Sequence, residues 1–259
     1  MATLSATGNR KIQAGFEPLV SGFVRARRDD IGAIRHIAEN NPDVVAVLVE
    51  PIQGEGGIRP LGQQYLKDLR TLCDQQEWLL MFDEVQSGNG RTGYHYNYLG
   101  LDLAPDVLTT AKGLGNGVPI GACMARGPAA AVFSAGHHGS TYGGNPLACA
   151  AAQAVVDSIQ DDELCARATQ LGEVVREAIS AGIEDPSAIV EIRGEGLMLG
   201  IELNRDCGEL VPQALEAGLL INVTAGNTVR LLPPLIMSDE EAAELGTGVA
   251  QLINHFHQQ

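Results

Sequence analysis

Lysine is almost missing from this chain: 259 residues contain three, Lys11, Lys67 and Lys112. Cations of both kinds are few, 17 Lys and Arg against 32 Asp and Glu, leaving a formal charge of −15. That balance argues against a surface that grips nucleic acid or an anionic membrane, since both need clustered positive charge. No apolar run is long enough to cross a bilayer. The opening MATLSATGNRKIQAG has no basic stretch followed by an apolar one, so it does not read as a signal peptide. Five scattered cysteines (Cys73, Cys123, Cys149, Cys165, Cys207) offer neither an even disulfide framework nor a C-x-x-C ligand pair. They read as free thiols of a reducing compartment, and the expectation is a soluble, cytoplasmic protein. Internal repeats and low-complexity segments are also lacking.

What is present alternates between strand and helix patterns. Residues 1–30 are loop-rich, and DDIGAIRHIAEN then reads as a short amphipathic helix stopped by Asn41-Pro42. VVAVLVEP (44–51) is a continuous, valine-rich apolar run, expected as a strand buried on both faces. GQQYLKDLRTLCDQQEW has helical spacing with Tyr65, Leu66, Leu69, Leu72 and Cys73 on one face. LLMFDEVQ (79–86), DVLTT and VPIGACMA read as further strands, and a small-residue helix follows Asn145-Pro146. This order predicts an α/β fold with a mostly parallel sheet clad by helices. From about residue 186 the pattern becomes α+β: a strand pair around Gly194 and Gly196, a helix, two short strands and a last helix from Ser238.

Ligands of open parallel sheets gather at the carboxyl ends of the strands. Three such ends carry unusual groups: Glu50 with Glu55 a turn later; Asp83, Glu84 and Gln86; and Lys112 in DVLTTAKGLGNG. Taken singly, Asp83 can cap the next loop and Lys112 can pair with a carboxylate. A carboxylate and an isolated lysine on one rim are also what pyridoxal phosphate needs. The amine condenses with the aldehyde, and the acid keeps the pyridine nitrogen protonated so that the ring absorbs carbanion electrons. GNGRTG (88–93) matches a dinucleotide fingerprint, but an aromatic, glycine-interrupted stretch follows where a helix should open, and two acids precede it. STYGGNP (140–146) places hydroxyls before a helix start, as a cap or an anion site. Arg230, alone among apolar residues in TVRLLPP, either pairs with an acid or grips a substrate carboxylate. His137-His138 and His255-x-His257 have no acid or cysteine at ligand spacing, so no metal is expected.

In this order, EPIQGEGG, FDEVQSGNGRTG, TTAKGLGNGVPIGA, HGSTYGGNP and RGEGLMLGIEL resemble the class III pyridoxal-phosphate aminotransferases across essentially the whole chain. The resemblance implies an incomplete fold type I, with 1–163 a partial large cofactor-binding domain and 164–259 a C-terminal small domain. It implies Lys112 as Schiff-base lysine and proton shuttle, and Asp83 as partner of the pyridine nitrogen. Glu84, Val85 and Gln86 would lie at the cofactor, Gln86 near the ring hydroxyl. Thr141 would bind the phosphate held by a neighbouring subunit, hence a homodimer, and Ser140 would lie by the substrate. Arg230 would hold the α-carboxylate of glutamate or 2-oxoglutarate, and Glu55 would pair with it when an ω-amine is the donor. The implied reaction is amino transfer from N2-acetyl-L-ornithine to 2-oxoglutarate in arginine biosynthesis. Succinylornithine, ornithine and 4-aminobutyrate are neighbouring donors, and a non-catalytic remnant is the other alternative. The resemblance also implies that the family's phosphate loop, ring-stacking aromatic and substrate-carboxylate arginine lie before the segment that these motifs cover, so no counterpart to them is expected here. The expectation is therefore an exposed apolar flank, an open strand edge, poor cofactor binding and little turnover.

Overall fold

A computed structural model describes all residues, 1–259, which divide into two compact units, Met1–Val44 and Val45–Gln259. In the first, α1 (Ala2–Ala6) and α2 (Arg10–Gln13) are single turns, and α3 (Ile31–Asn40) is the amphipathic helix expected. Asp30 caps α3 by accepting from Ala33 N–H at 2.9 Å. Between the helices, Arg25 donates to the carbonyls of Ser5 (2.6 Å) and Thr7 (2.8 Å) and so ties an irregular stretch together.

The second unit begins with β1 (Ala46–Val49), followed by the hairpin of β2 (Ile52–Gln53) and β3 (Arg59–Pro60). Helix α4 (Gln63–Gln76) leads to β4 (Leu79–Asp83), β5 (Val107–Thr110) and β6 (Ala122–Ala125). The buried residues of α4 are Tyr65, Leu66, Leu69, Leu72 and Cys73, the predicted face. The four longer strands form one sheet in the order β1-β4-β5-β6, with β1-β4 and β4-β5 parallel and β5-β6 antiparallel. The run 44–51 departs from expectation. β1 is an edge strand, and Val45 (72%) and Leu48 (46%) are exposed. An apolar run reports the capacity to be buried, whereas neighbours decide whether it is. At the other edge every residue of β6 is exposed, so both edges are open.

Helix α5 (Pro146–Asp161) is the small-residue helix expected after Asn145-Pro146, and α6 (Leu164–Gly182) follows it. A second sheet follows, built from β7 (Ile189–Glu195), β8 (Met198–Leu203), then α7 (Leu210–Glu216), β9 (Asn222–Thr224) and β10 (Thr228–Leu231), and closed by α8 (Asp239–His257). Its strand order is β7-β8-β10-β9, all antiparallel. One face (Ile192, Leu199, Ile201, Leu203, Val229, Leu231) packs on Leu171, Val175, Ile179, Val249 and Ile253 of α6 and α8. Ser238 and Glu241 form a capping box at the start of α8, with three acids in its first turn. The opposite face of this sheet receives the β2–β3 hairpin: Ile52 and Ile58 cluster with Met198.

Candidate active site

The parallel strands β1, β4 and β5 deliver their last residues to one rim. Val49 pairs with Phe82 and Asp83 with Thr109, so Glu50 and Asp83 stand level, and Lys112 follows three residues after Thr109. Lys112 opens a short 3-10 turn with φ +47°, in the left-handed region. Asn89 secures the strand just before it, donating through Nδ2 to Thr110 Oγ1 (3.0 Å) and to the Ala111 carbonyl (3.2 Å). The exposed Lys112 ammonium enters no hydrogen bond or ion pair. It does act electrostatically on Glu50 and Glu55. Burial pushes the Glu50 carboxyl above the usual range, with the nearby Asp83 charge adding to the rise; the bond from Gly54 N–H (3.0 Å) and the Lys112 charge oppose it. Asp83 also accepts from Val85 N–H at 3.0 Å, so it caps its own turn as well as facing the rim.

A second group sits where the hairpin meets β10. Arg230 Nη1 donates to Glu55 Oε1 at 2.7 Å and to Gln86 Oε1 at 3.3 Å, and Gln86 Nε2 reaches Glu55 at 3.4 Å. The Arg230 side chain is 12% exposed and that of Glu55 61%. The Arg230 bond holds the Glu55 carboxyl below the usual range in spite of some burial. Buried Nε of Arg230 has no partner, so the guanidinium keeps donor capacity in reserve. Gly54 makes room for this arrangement, because a Cβ there would lie 2.2 Å from Gln86 Oε1.

Other expected residues lie elsewhere. Glu84 is fully buried and faces away from the lysine rim. Its carboxylate accepts from Asn97 N–H (2.5 Å), Tyr98 N–H (3.0 Å) and Ser87 Oγ (3.2 Å), stapling the 87–98 loop. Strand alternation explains this, since successive residues face opposite ways. Val85 contributes its backbone N–H to Asp83. Ser140 and Thr141 lie in an exposed bend before α5, where Ser140 Oγ accepts from Gly143 N–H at 3.0 Å, and no bond joins them to the rim. GNGRTG does not open a helix: a 3-10 turn at Asn97–Gly100 follows, and Arg91 is spent on the carbonyls of Leu197 and Pro233. Sequence reasoning missed Asn89 and Arg193. A lone arginine in the strand-like AIVEIRGEG was the available signal for the latter.

An unpartnered amine beside a carboxylate, at the end of a parallel strand pair, has the donor chemistry that pyridoxal phosphate requires. The family described as aminotransferase class-III matches residues 1–253. The chain belongs to the class III aminotransferases. Among curated relatives it is 52% identical over 256 residues to acetylornithine aminotransferase 1 of Bordetella parapertussis, covering 99% of this chain and 65% of that protein. Acetylornithine aminotransferase of Nitrosomonas europaea is 51% identical with the same coverage. Among solved structures, ornithine aminotransferase of Toxoplasma gondii superposes with a TM-score of 0.93 at 35% identity, over 99% of this chain and 62% of that one. Acetylornithine aminotransferase of Elizabethkingia anophelis gives 0.85 at 36%, over 93% and 62%. The chain thus spans about 65% of the length of the curated relatives it matches. Class III aminotransferases depend on pyridoxal phosphate, and a second Toxoplasma ornithine aminotransferase structure carries it at partial occupancy.

Proposed function

We propose that this chain carries the lysine-bearing part of an ω-aminotransferase that moves the δ-amino group of N2-acetyl-L-ornithine to 2-oxoglutarate. The observation that carries the reading is Lys112, unpaired and left-handed at the end of β5, one strand from Asp83. Lys112 would hold the cofactor through its amine, and Asp83 would face the ring nitrogen. When bound, pyridoxal phosphate supplies an electron sink for the substrate carbanion. The remaining work falls to side chains. The Lys112 amine would also carry a proton to and from the substrate carbon. With an ω-amine donor, Glu55 neutralises Arg230 and leaves a site without net charge at that end. With glutamate or 2-oxoglutarate, Glu55 swings away and the Arg230 fork takes the α-carboxylate. The 2.7 Å Arg230–Glu55 pair is the arrangement that the first of these states requires.

The donor choice rests on the acetylornithine names of the Bordetella and Nitrosomonas relatives; ornithine, succinylornithine and 4-aminobutyrate are the competing donors. The same reading assigns 1–163 to a cofactor-binding domain and 164–259 to a small domain. It places the protein in the cytoplasm as a homodimer in which Thr141 serves the partner's cofactor phosphate and Ser140 the substrate.

Two measurements test it. Borohydride reduction of the cofactor-loaded chain should leave a phosphopyridoxyl group on the peptide containing Lys112, and a label on Lys11 or Lys67 instead would refute the assignment. Glutamate formation from 2-oxoglutarate should be fastest with N-acetylornithine among the four donors; preference for another donor would reassign the substrate.

A further inference from the structure

Two arginines stand in one row across the second sheet. Arg193 on β7 and Arg230 on β10 both pair with Gly200 on β8, so the three positions face the same way. Gly200 leaves a notch between them, and Ile58 fills it: a Cβ at Gly200 would lie 2.8 Å from the Ile58 Cβ. Ile58 is fully buried with φ +49°, a conformation that a β-branched residue holds only under constraint. The constraint is visible. Arg193 Nε donates to the carbonyls of Gly57 (3.0 Å) and Ile58 (2.8 Å), and Nη2 reaches Gly57 O at 2.6 Å and Thr228 Oγ1 at 3.3 Å. Nη1 is anchored on Glu202 and on Glu191 (3.0 Å), and Arg59 also binds Glu202 at 2.8 Å. The Arg193 side chain is 6% exposed. Glu55 is two residues before the clasped glycine, at the tip of the same hairpin.

We propose that Arg193 is a positioning residue for the Glu55–Arg230 pair. By clasping the carbonyls of Gly57 and Ile58 it fixes the hairpin on the sheet and keeps Glu55 over Arg230, and so sets how readily a carboxylate ligand displaces Glu55. This deepens the proposed function and rests on it for the meaning of the pair, not for the clasp itself.

The test compares the full chain with its Arg193→Gln, Arg193→Lys and Gly200→Ala variants. Gly200→Ala lifts Ile58 by steric contact without removing a charge, and it decides the matter should Arg193→Gln fail to fold. Hydrogen exchange of the 52–60 peptide should quicken about tenfold in Arg193→Gln and Gly200→Ala, with helices α6 and α8 unchanged. Glutarate, a dicarboxylate probe, should bind about five- to tenfold more tightly by calorimetry, because Arg230 is less occupied. KM for glutamate should fall while KM for the ω-amine donor rises. Arg193→Lys, which cannot bridge two carbonyls and a carboxylate at once, should fall between. Unchanged exchange in 52–60 would overturn the clasp. Faster exchange with unaltered glutarate affinity, or equal effects on both donors, would reduce Arg193 to a structural role. A borohydride label on Lys11 or Lys67 in place of Lys112 would refute the proposed function alone, since exchange and glutarate binding still decide the role of Arg193.

Discussion

Replacing Lys112 by glycine should leave the chain more stable than replacing it by alanine, the reverse of the order found at most positions. The cause is the backbone. At φ +47° the residue sits in the left-handed region, which costs an ordinary L-residue about 1–2 kcal/mol. Glycine pays none of this but loses about 0.5–1 kcal/mol more chain entropy on folding than alanine does. The difference favours glycine by about 0.5–1 kcal/mol. Lost contacts do not blur the comparison, because the ammonium enters no hydrogen bond or ion pair and both variants remove the same charge from beside Glu50 and Glu55. For a chain of this size the midpoint should differ by about 1–4 °C. Thermal and urea unfolding of the two variants, side by side, provide the assay. An alanine variant as stable as the glycine one, or more so, would refute the left-handed assignment, and with it the view that the chain stores strain at Lys112.

Asp106 accepts from Leu80 N–H (2.9 Å) and Arg70 Nη1 (2.7 Å), bonds that outweigh its burial and hold its carboxyl below the usual range. Asp106→Asn should therefore cost about 2 kcal/mol at neutral pH. A depressed folded-state value means the parent's advantage is full above the usual aspartate range and is lost as pH falls below that range through the lowered folded value, so urea midpoints of the two chains should converge only in strong acid; a gap independent of pH would count against the ion pair. Gly172→Ala should destabilise in spite of alanine's better helix propensity, by about 1–2 kcal/mol, because its Cβ would lie 2.2 Å from the Gly196 carbonyl oxygen. An unchanged unfolding midpoint would mean that α6 does not approach the β7–β8 turn so closely.

Helix α4 was legible to the residue on its buried face because a 3.6 period survives without knowledge of neighbours. The lysine rim was legible for a different reason: an acid or a lone lysine after an apolar strand is costly enough to stand out. Edge and centre were not legible. VVAVLVEP has the composition of a doubly covered strand yet lies at a sheet edge, a fact of topology that no local pattern encodes. The direction of β6 was readable in principle, since the turn at 112–121 is shorter than the crossover that a parallel return from β5 requires. Asp83 and Glu84 were grouped by adjacency, although alternation along a strand sends one to the rim and the other into the 87–98 loop.

The Glu50–Arg59 segment carries more of the site than its length suggests. It leaves the first sheet at Glu50, whose carboxylate accepts from Gly54 N–H, and ends on the second sheet, where Arg59 binds Glu202. Between these anchors it presents Glu55 to Arg230 and leaves a side-chain-free surface at Gly54 for Gln86, which comes from the rim next to Asp83. One short hairpin therefore couples the strand ends bearing the lysine and acid to the strand bearing the carboxylate-binding arginine. Its geometry is not set by its own sequence propensity, because an isoleucine at positive φ is a poor local choice. It is set by Arg193, 135 positions along the chain from Ile58. Charge at the arginine end and charge at the lysine end are consequently linked through backbone as well as through space. A substitution that loosens the hairpin should disturb Glu50 and Glu55 together, not either one alone.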